Sequence, residues 1–324
     1  MRKLFTVLSV AKYRIYRMYT IISRGFVIIF ATCVLTAVPA CSKKSTAAPS
    51  VIPAPVTVKI ISPLTKKITD QTTLIKTFQS DTLIQIAQGL SETVITYLNS
   101  GNQPMRVFIL EVDLNNPNLR LNAGTPNNNP AFARQTVSEI ARTQDTTGAR
   151  ILVAVNGDFF NSAGVPQSAL YKKGVALKSR FCDLCTFLAI NYQNKASIIS
   201  KDRIVDTANI KEAIGGYHWL IKNSQKVAQG DLSVEPRTTT GITTGNVVYF
   251  ILADGRQSTY SNGMSFSQLS DMFLAIGVKD AINLDGGGSS TLVVKEGAGW
   301  AVKNKPSDGS QRAVANAWTI VDVK

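Results

Sequence analysis

The stretch AINLDGGGSSTLVV, residues 281–294, places three consecutive glycines between two apolar runs. Short apolar runs bounded by turn residues are typical of buried strands. Glycines lose more chain entropy on folding than other residues, so the backbone here must adopt positive φ angles or approach another group closely. Amides flanked by the hydroxyls of Ser289 and Ser290 can form an anion-binding nest, although a tight hairpin would also use these residues. No lysine follows the glycines, which argues against a Walker loop.

Strand and helix signals around this stretch predict an α+β fold, a single mixed-sheet domain with few helices. The first helix is predicted over residues 136–143, and the second runs from a cap at Ser265 or Ser267 to Ile276, where Gly277 ends it. Residues 105–114 are predicted to form a strand, and residues 119–124, which follow a turn, are predicted to pair with it. The further predicted strands are residues 150–156, 247–253, 281–284 and 291–294.

The first forty residues predict an export signal. They contain six basic residues and no acidic one, and an apolar run over residues 26–38 is followed by Ala40-Cys41, which resembles a bacterial lipobox. We therefore expect a signal peptide over residues 1–40, lipidation of Cys41, a flexible linker over residues 41–65 and one domain over residues 66–324. An uncleaved anchor, a simple secretory signal and a start at Met18 stay open.

These features predict an exported protein. We expect a lipid on Cys41 to anchor it in the outer membrane, where it faces the periplasm or the cell surface. The net charge is +14, from 35 basic and 21 acidic residues, and removal of the signal would leave 29 − 21, or +8. A moderate positive charge suits anionic glycans, phosphates or a membrane surface. The absence of a dense Lys/Arg run outside the signal argues against nucleic-acid binding.

Cys182 and Cys185 are the cysteines that remain in the predicted domain. Their spacing occurs in thiol-disulfide oxidoreductases and in half of a zinc site. A structural zinc would need two further ligands, whereas His218 is the one histidine of the chain and is interpreted as a core or cleft-wall residue. The pair reads as a turn between strands, which favours a local disulfide or two inert thiols, with thiol-redox activity as a weaker hypothesis.

Two further polar segments stand at predicted strand ends. The apolar run of residues 153–155 leads into Asn156 and Asp158, which could also be turn residues that bond to the backbone. Arg237 and Arg312 each precede a strand, and guanidinium groups suit bidentate recognition of phosphate or carboxylate. Each arginine alone would more often be a solvated ion-pair partner.

The combination and order of these motifs resemble the phosphodiester glycosidase family over residues 90–324. The motifs that carry the resemblance are residues 156–160 (NGDFF), 236–238 (PRT), 254–256 (DGR), 261–265 (SNGMS), 284–290 (LDGGGSS), Asn304 with Pro306, and 312–316 (RAVAN). The resemblance implies hydrolysis of the anomeric C–O bond of a sugar-1-phosphate diester, with an N-acetylhexosamine as the expected sugar and a phosphodiester-linked glycan as the expected partner. The alternative is a non-catalytic module that binds anionic cell-surface polysaccharide.

The predicted site follows from the same motifs. Asp285, Asp158 and Asn156 are the expected catalytic residues, although the sequence leaves open which aspartate is base or nucleophile. No cofactor is predicted with certainty, and either aspartate is also compatible with binding a divalent cation. The phosphate is expected to contact Arg237, Arg312, Gly286, Gly287, Gly288, Ser289 and Ser290.

Overall fold

The computed structural model describes residues 61–179, 182–201 and 207–324. The predicted signal, Cys41 and most of the predicted linker lie outside these residues. The described residues belong to one compact unit. Its first helix already begins at Pro63, within the last residues assigned to the linker, because Ser62 caps the helix and proline is well suited to the first turn.

The helices in the described residues are few, as the sequence predicts. Ser265 caps the longest one in a capping box with Gln268, and Gly277 follows it with a φ of 81°. The second helix is capped by Thr136. The helices are α1 (Pro63–Gln71), α2 (Val137–Gln144) and α3 (Phe266–Ala275).

Most of the remaining regular structure is strand. The strands are β1 (Thr77–Ala87), β2 (Leu90–Leu98), β3 (Pro104–Asp113), β4 (Leu119–Gly124), β5 (Arg150–Asn156), β6 (Leu170–Lys172), β7 (Val175–Lys178), β8 (Thr186–Asn191), β9 (Ala196–Ser200), β10 (Ile210–Gly216), β11 (Trp219–Lys222), β12 (Gln225–Lys226), β13 (Arg237–Ile242), β14 (Val247–Ala253), β15 (Asp280–Asn283), β16 (Leu292–Glu296), β17 (Gly299–Val302) and β18 (Ala317–Asp322).

The strands of the described residues form three sheets. The first has the order β1-β2-β3-β14-β13-β15-β11-β12, the second β7-β6-β10-β8-β9, and the third β17-β16-β5-β18-β4. Every strand pair in the described part of the chain is antiparallel. The α+β class with few helices is confirmed. The described strands form three antiparallel sheets, whereas one mixed sheet was predicted. A parallel pair would need a crossover connection between neighbouring strands, and none occurs among the described residues.

One hydrophobic core joins all three sheets. Phe250 of the first sheet, Leu188 of the second and Trp318 of the third belong to this cluster, and each is almost fully buried. The other face of the first sheet packs against α1 and α3 through residues such as Phe273. Burial of large apolar side chains on both faces accounts for most of the stabilisation of such a sheet.

The predicted pairing of residues 105–114 with 119–124 is wrong. β3 pairs with β2 on one side and with β14 on the other, which uses both edges of the strand. β4 pairs instead with β18, with Leu121 opposite Ile320. The intervening turn therefore carries the chain from the first sheet to the third and does not close a hairpin.

In the described ranges, no helix combines the length and apolar character needed to cross a membrane.

Candidate active site

The antiparallel registers bring the distant polar motifs to one edge. Thr239 of β13 lies opposite Asn283 of β15, so the start of β13, at Arg237, lies beside the segment that follows β15. Ala317 of β18 lies opposite Asn156 of β5, so the residues before β18 lie beside the end of β5. In an antiparallel pair, the end of one strand meets the start of its neighbour, which explains why motifs far apart in sequence converge.

The glycine loop, residues 285–290, contains a single 3₁₀ turn over Gly287–Ser289. Its backbone is held at both sides of the cleft. The Asp285 amide donates to the Gly157 carbonyl oxygen at 2.9 Å, and the Gly287 amide donates to the Pro236 carbonyl oxygen at 2.8 Å. Because these anchors come from the ends of β5 and β13, the loop bridges the third and first sheets.

The glycines of this loop are required by close approach. A Cβ atom at Gly288 would lie 2.2 Å from Arg312 Nη2 and 2.1 Å from Asp308 Oδ2, and one at Gly286 would lie 2.8 Å from the Pro236 carbonyl oxygen. Gly287 has a φ of 57°, which also favours glycine. The three-glycine run predicts positive φ angles or a close approach, and the structure has both; the group approached at Gly288 is the Arg312 guanidinium.

Asn156 is fully buried behind the loop. Its Nδ2 donates to the Asp285 carbonyl oxygen at 2.6 Å, and its Oδ1 accepts from Thr238 Oγ1 at 2.9 Å and from the Thr291 amide at 3.0 Å. Thr238 Oγ1 also lies 3.1 Å from Ser290 Oγ. A buried amide that satisfies groups on three segments fixes their relative positions, so Asn156 supports the cleft from behind.

Asp285 lies at the start of the loop and is half-buried. Burial raises the pKa of its carboxyl group to about 6, while a hydrogen bond from Ser289, the Arg312 charge and the Gly286 amide counteract part of this shift. Ser289 is itself buried and lies within 3.4 Å of Arg312 Nη1. The carboxyl group is therefore available in both protonation states near neutral pH.

Asp158 is almost fully buried, with 1% of its surface exposed. Its Oδ2 accepts from the Ser168 amide at 2.6 Å, and its Oδ1 has no hydrogen-bond partner. Burial raises the pKa of this carboxyl group to about 8, and the negative charge of Asp285 adds to the shift. Asp158 is therefore protonated at neutral pH and lies near, but not in, the wall of the cleft.

The cleft has a volume of about 440 Å³. The side chains on one side are aromatic: the ring centroids of Phe159 and Tyr217 are 6.0 Å apart, and those of Tyr217 and His218 are 4.2 Å apart. His218 thus lines the cleft, as predicted for a core or cleft-wall residue. The cleft is lined by Phe159, Tyr217, His218, Asp231, Glu235, Pro236, Arg237, Arg256, Phe266, Asn283, Leu284, Asp285, Gly286, Gly287, Gly288 and Arg312.

Three guanidinium groups face the cleft. Arg237 lies 3.8 Å from the centroid of the Phe266 ring and donates to Asp231 Oδ2 at 3.2 Å. Arg312 Nη2 lies 2.8 Å from Asp308 Oδ2. Arg256, the third, was not among the predicted site residues, although the DGR motif at 254–256 contains it; its Nη1 would lie 3.3 Å from a Cβ atom at Gly287. Together they create a site suited to an anion with several oxygens.

The predicted site residues divide into two groups. Those that line the cleft are Arg237, Asp285, Gly286, Gly287, Gly288 and Arg312. Those that are buried behind it are Asn156, Asp158, Ser289 and Ser290. Within the described residues, no group of three or more His, Cys, Asp or Glu side chains could hold a metal ion.

A pocket of about 530 Å³ lies elsewhere, between the end of α1 and the end of α3, and contains none of the predicted site residues. The cleft is smaller than this pocket, but it contains Asp285 and the three guanidinium groups, and it is therefore the candidate site.

Comparison with known proteins identifies similar chains. A family model described as phosphodiester glycosidase matches residues 149–321, a range that includes every predicted site residue except Cys41. The SPbeta prophage-derived uncharacterized protein YomE of Bacillus subtilis is 31% identical over 205 residues, which are 58% of this chain and 30% of that protein. Human N-acetylglucosamine-1-phosphodiester alpha-N-acetylglucosaminidase is 26% identical over 240 residues, 67% of this chain and 42% of that protein. The chain thus spans less than half the length of these curated relatives.

Solved structures share the fold. A hypothetical protein from Synechocystis superposes with a TM-score of 0.61 at 13% identity, covering 75% of this chain and 64% of that one. The catalytic domain of zebrafish N-acetylglucosamine-1-phosphodiester alpha-N-acetylglucosaminidase, auto-inhibited by its pro-peptide, has a TM-score of 0.56 at 20% identity, covering 76% of this chain and 87% of that domain.

Proposed function

Because this chain belongs to the phosphodiester glycosidase family, we propose that it hydrolyses a sugar-1-phosphate diester at the bond between the anomeric carbon and the bridging oxygen. The observation that carries the proposal is the position of Asp285. Asp285 is the first residue of the glycine loop, which runs between Arg312 and the start of β13 at Arg237. Burial raises the pKa of its carboxyl group to about 6. A titrating carboxyl group beside several guanidinium groups suits a reaction in which a phosphate leaves.

In this proposal the arginines and the glycine loop bind the phosphate. Arg237, Arg256 and Arg312 present donors to one cavity, and each is oriented by a local carboxylate: Asp231 for Arg237, Glu235 for Arg256 and Asp308 for Arg312. Such pre-oriented guanidinium groups stabilise the charge of the departing phosphate monoester without rearranging during the reaction.

Asp285 acts at the anomeric carbon, as base or as nucleophile. As base, it removes a proton from water, the water oxygen forms a bond to the anomeric carbon, and the bridging oxygen leaves with the bonding electron pair on the phosphate. As nucleophile, it forms this bond itself, and water later releases the sugar. A phosphate is a good leaving group, which reduces the need for a strong general acid.

Asp158 and Asn156 enter the proposal as positioning residues, although the sequence motif suggested catalytic roles. Asn156 holds the carbonyl oxygen of Asp285, and Asp158 is buried with its amide bonded to Asn316 Oδ1 at 2.8 Å. The aromatic residues Phe159 and Tyr217 supply a wall for the apolar face of a sugar ring. An α-linked N-acetylhexosamine is the first donor to test.

The decisive experiment is hydrolysis of sugar-1-phosphate diesters by the full chain in ¹⁸O-labelled water. Cleavage of the C–O bond places the label on the reducing sugar, which is the expected result. Label on the phosphate alone would overturn the glycosidase mechanism and indicate attack at phosphorus. Binding of diesters with no product from any of them would favour the non-catalytic module that binds anionic polysaccharide.

We also propose that the protein is exported and anchored through a lipid on Cys41. The disulfide between Cys182 and Cys185 supports an oxidising compartment. Metabolic labelling with a palmitate analogue in a bacterial host should mark the wild-type chain and not the Cys41→Ser variant. Equal labelling of both chains, or of neither, would contradict the anchor.

A further inference from the structure

The carboxyl groups of the cleft oppose the binding of an anion. Three guanidinium groups line the cleft, together with the carboxyl groups of Asp231, Glu235 and Asp285. When all six are ionised, the charges of these side chains sum to 3 − 3, or zero. A cleft with no net charge attracts a phosphate weakly, unless one carboxylate moves away from its guanidinium partner.

Two of the three carboxyl groups belong to residues with a fixed backbone. The Asp285 amide donates to the Gly157 carbonyl oxygen at 2.9 Å. Glu235 and Met264 exchange two backbone hydrogen bonds, at 3.3 and 3.0 Å, and the next residue, Pro236, is buried. Asp285 and Glu235 are therefore held at the cleft by their backbone.

Asp231, the third, belongs to a segment that is weakly attached. Residues 230–234, which we call the strap, are exposed and lie between β12 and β13. The apolar side chains of Leu232 and Val234 are 75% and 43% exposed, so they do not anchor the strap in the core. Within the described ranges, the hydrogen bonds between the strap and the rest of the protein all end on Arg237. Segments with few buried contacts open at a low cost in free energy.

One nitrogen of Arg237 makes all of these bonds. Its Nη2 has three acceptors: Asp231 Oδ2 at 3.2 Å, Ser233 Oγ at 2.9 Å and the Ser233 carbonyl oxygen at 3.0 Å. This nitrogen carries two hydrogens, so the three acceptors cannot all be well aligned. The guanidinium group is held independently of the strap, because it stacks 3.8 Å from the Phe266 ring centroid and its Nε donates to the Met264 carbonyl oxygen at 3.3 Å. Arg237 can therefore exchange its acceptors without moving.

We infer that Asp231 is an internal counter-ion of the phosphate site: the substrate phosphate displaces it from Arg237, and it returns when the monoester product leaves. The inference rests on the proposed function, in which Arg237 binds the phosphate. With the strap displaced, the charged side chains that line the cleft sum to 3 − 2, or +1, which favours the anion. The returning carboxylate competes with the product for Arg237 and weakens its binding.

The test uses inorganic phosphate as the probe and the full chain in detergent. Isothermal titration compares wild type with Asp231→Asn, in which the amide keeps the size of the side chain and lacks its charge. We expect the variant to bind phosphate about three- to fivefold more tightly, near the upper limit of what an exposed ion pair contributes. If Asp231 served only to orient Arg237, its loss would weaken the binding of phosphate. Equal or weaker binding in the variant would therefore overturn the inference.

Asp271→Asn is the matched control. Asp271 pairs with Lys226 at 2.6 Å, its side chain is 39% exposed compared with 45% for Asp231, and it lies outside the cleft. The control removes one negative charge, as Asp231→Asn does, and should change the affinity for phosphate by less than about 1.5-fold because salt screens distant charges. A gain equal to that of Asp231→Asn would overturn the inference, since net charge alone would then explain both.

Cleavage by chymotrypsin after Leu232 reports on the strap itself. Saturating inorganic phosphate takes up the donors of Arg237, so it should speed cleavage at this exposed residue by about threefold or more in the wild-type chain. Sodium chloride at the same ionic strength is the control and should leave the rate unchanged. Unchanged or slower cleavage in phosphate would mean that the strap stays bound to Arg237, which contradicts the displacement.

The titration needs no hydrolysis, and its result can therefore be separated from the proposed function. If the wild-type chain hydrolyses diesters but Asp231→Asn binds phosphate no more tightly, the proposed function stands and the counter-ion fails. If no diester is hydrolysed and the variant still binds phosphate more tightly, hydrolysis fails and the counter-ion stands. In an active enzyme, phosphate should inhibit Asp231→Asn at about three- to fivefold lower concentration than wild type; equal inhibition would overturn the inference.

Discussion

The cleft and a neighbouring cavity share His218 in their walls but are built differently. The cleft is fixed from behind by buried polar side chains, among them Asn156, Thr238 and Ser290, which bond to several segments at once. The neighbouring cavity is bounded by the disulfide-closed turn of residues 182–185 and by residues 227–229. Groups that act on a bond must be held within fractions of an ångström, so a cavity that contains none of them tolerates looser walls.

This difference predicts where substitutions matter. Changes in the cleft or its buried support should reduce turnover of every diester, whereas changes around the neighbouring cavity should leave turnover nearly unchanged. Each experiment below would sharpen that division or show that it is false.

The largest effect is expected for Asp285→Asn. Asparagine keeps the size of the side chain but can act neither as base nor as nucleophile, so kcat should fall by about 10³-fold or more while KM changes little. Steady-state kinetics with the methyl diester of N-acetylglucosamine-1-phosphate measure both quantities. An unchanged kcat would show that Asp285 takes no part in the reaction. The division between the two regions would then have no basis.

The pH profile of the wild-type chain is the companion measurement. Burial raises the pKa of Asp285 to about 6, so the carboxyl group is ionised above this pH and protonated below it. With Asp285 as base or nucleophile, kcat/KM should be flat above about pH 6 and fall about tenfold per unit below it. A profile that rises as the pH falls below 6 would assign Asp285 the opposite role, that of a proton donor.

Much of the cleft could be predicted from the sequence because its signals are local. The bounds of β5 and β14 match the predicted residues 150–156 and 247–253, since both are apolar runs that end in turn residues. The three glycines predict a close approach, and the structure has it at Gly288. Antiparallel pairing then brings Arg237 and Arg312 to the same edge.

Other features depend on tertiary partners that no local pattern specifies. The β1–β2 hairpin was not predicted because most of β1 is exposed and its polar residues do not alternate regularly. A polar residue at a strand end looks the same whether it lines a cleft, as Asp285 does, or is buried behind it, as Asn156 and Asp158 are. The ion pair between Asp231 and Arg237 depends on how the segment of residues 227–236, which joins β12 to β13, packs.

The next effect in size is expected for Gly288→Ala. The added methyl group would lie 2.2 Å from Arg312 Nη2 and 2.1 Å from Asp308 Oδ2, both at the ends of side chains that can move. The fold should therefore survive while Arg312 is displaced, and kcat/KM should fall by about 10²-fold on all diesters. Gly148→Ala is the control, because nothing lies within 4 Å of the added atom. Full activity in Gly288→Ala would show that the position of Arg312 is not critical.

Asp158→Asn tests the buried support of the cleft through stability. The pKa of Asp158 is raised from 3.8 to about 8, so between about pH 4 and pH 8 the unfolded chain ionises this carboxyl group while the folded state keeps it protonated, and stability falls progressively as the pH rises through this range. Asparagine resembles the protonated form and lacks this dependence. Between pH 5 and pH 8, the variant should gain at least about 1.4 kcal/mol of unfolding free energy relative to wild type, the equivalent of one pKa unit.

Urea unfolding at the two pH values measures this difference. Asp183→Asn is the control from the disulfide-closed turn: its partner Lys201 lowers the pKa of Asp183, so the stability from that pair is lost only below the ordinary pKa of an aspartate, and the control should show no change between pH 5 and pH 8. Equal pH dependence in wild type and Asp158→Asn would mean that Asp158 is already ionised in the folded protein, and that the cleft is supported by a charge.

The smallest effect is expected when Cys182 and Cys185 are both replaced by serine. The disulfide closes a loop of four residues, for which chain entropy predicts a loss of about 2 kcal/mol at most in the free energy of unfolding. The turn borders the neighbouring cavity and not the cleft, so turnover of diesters should persist. Wild-type protein treated with a reductant should behave like the double variant, because both lack the same bond and keep the same cleft. Complete loss of turnover in both would contradict the division between the two regions, because it would mean that the turn supports the cleft or that the thiols take part in the chemistry.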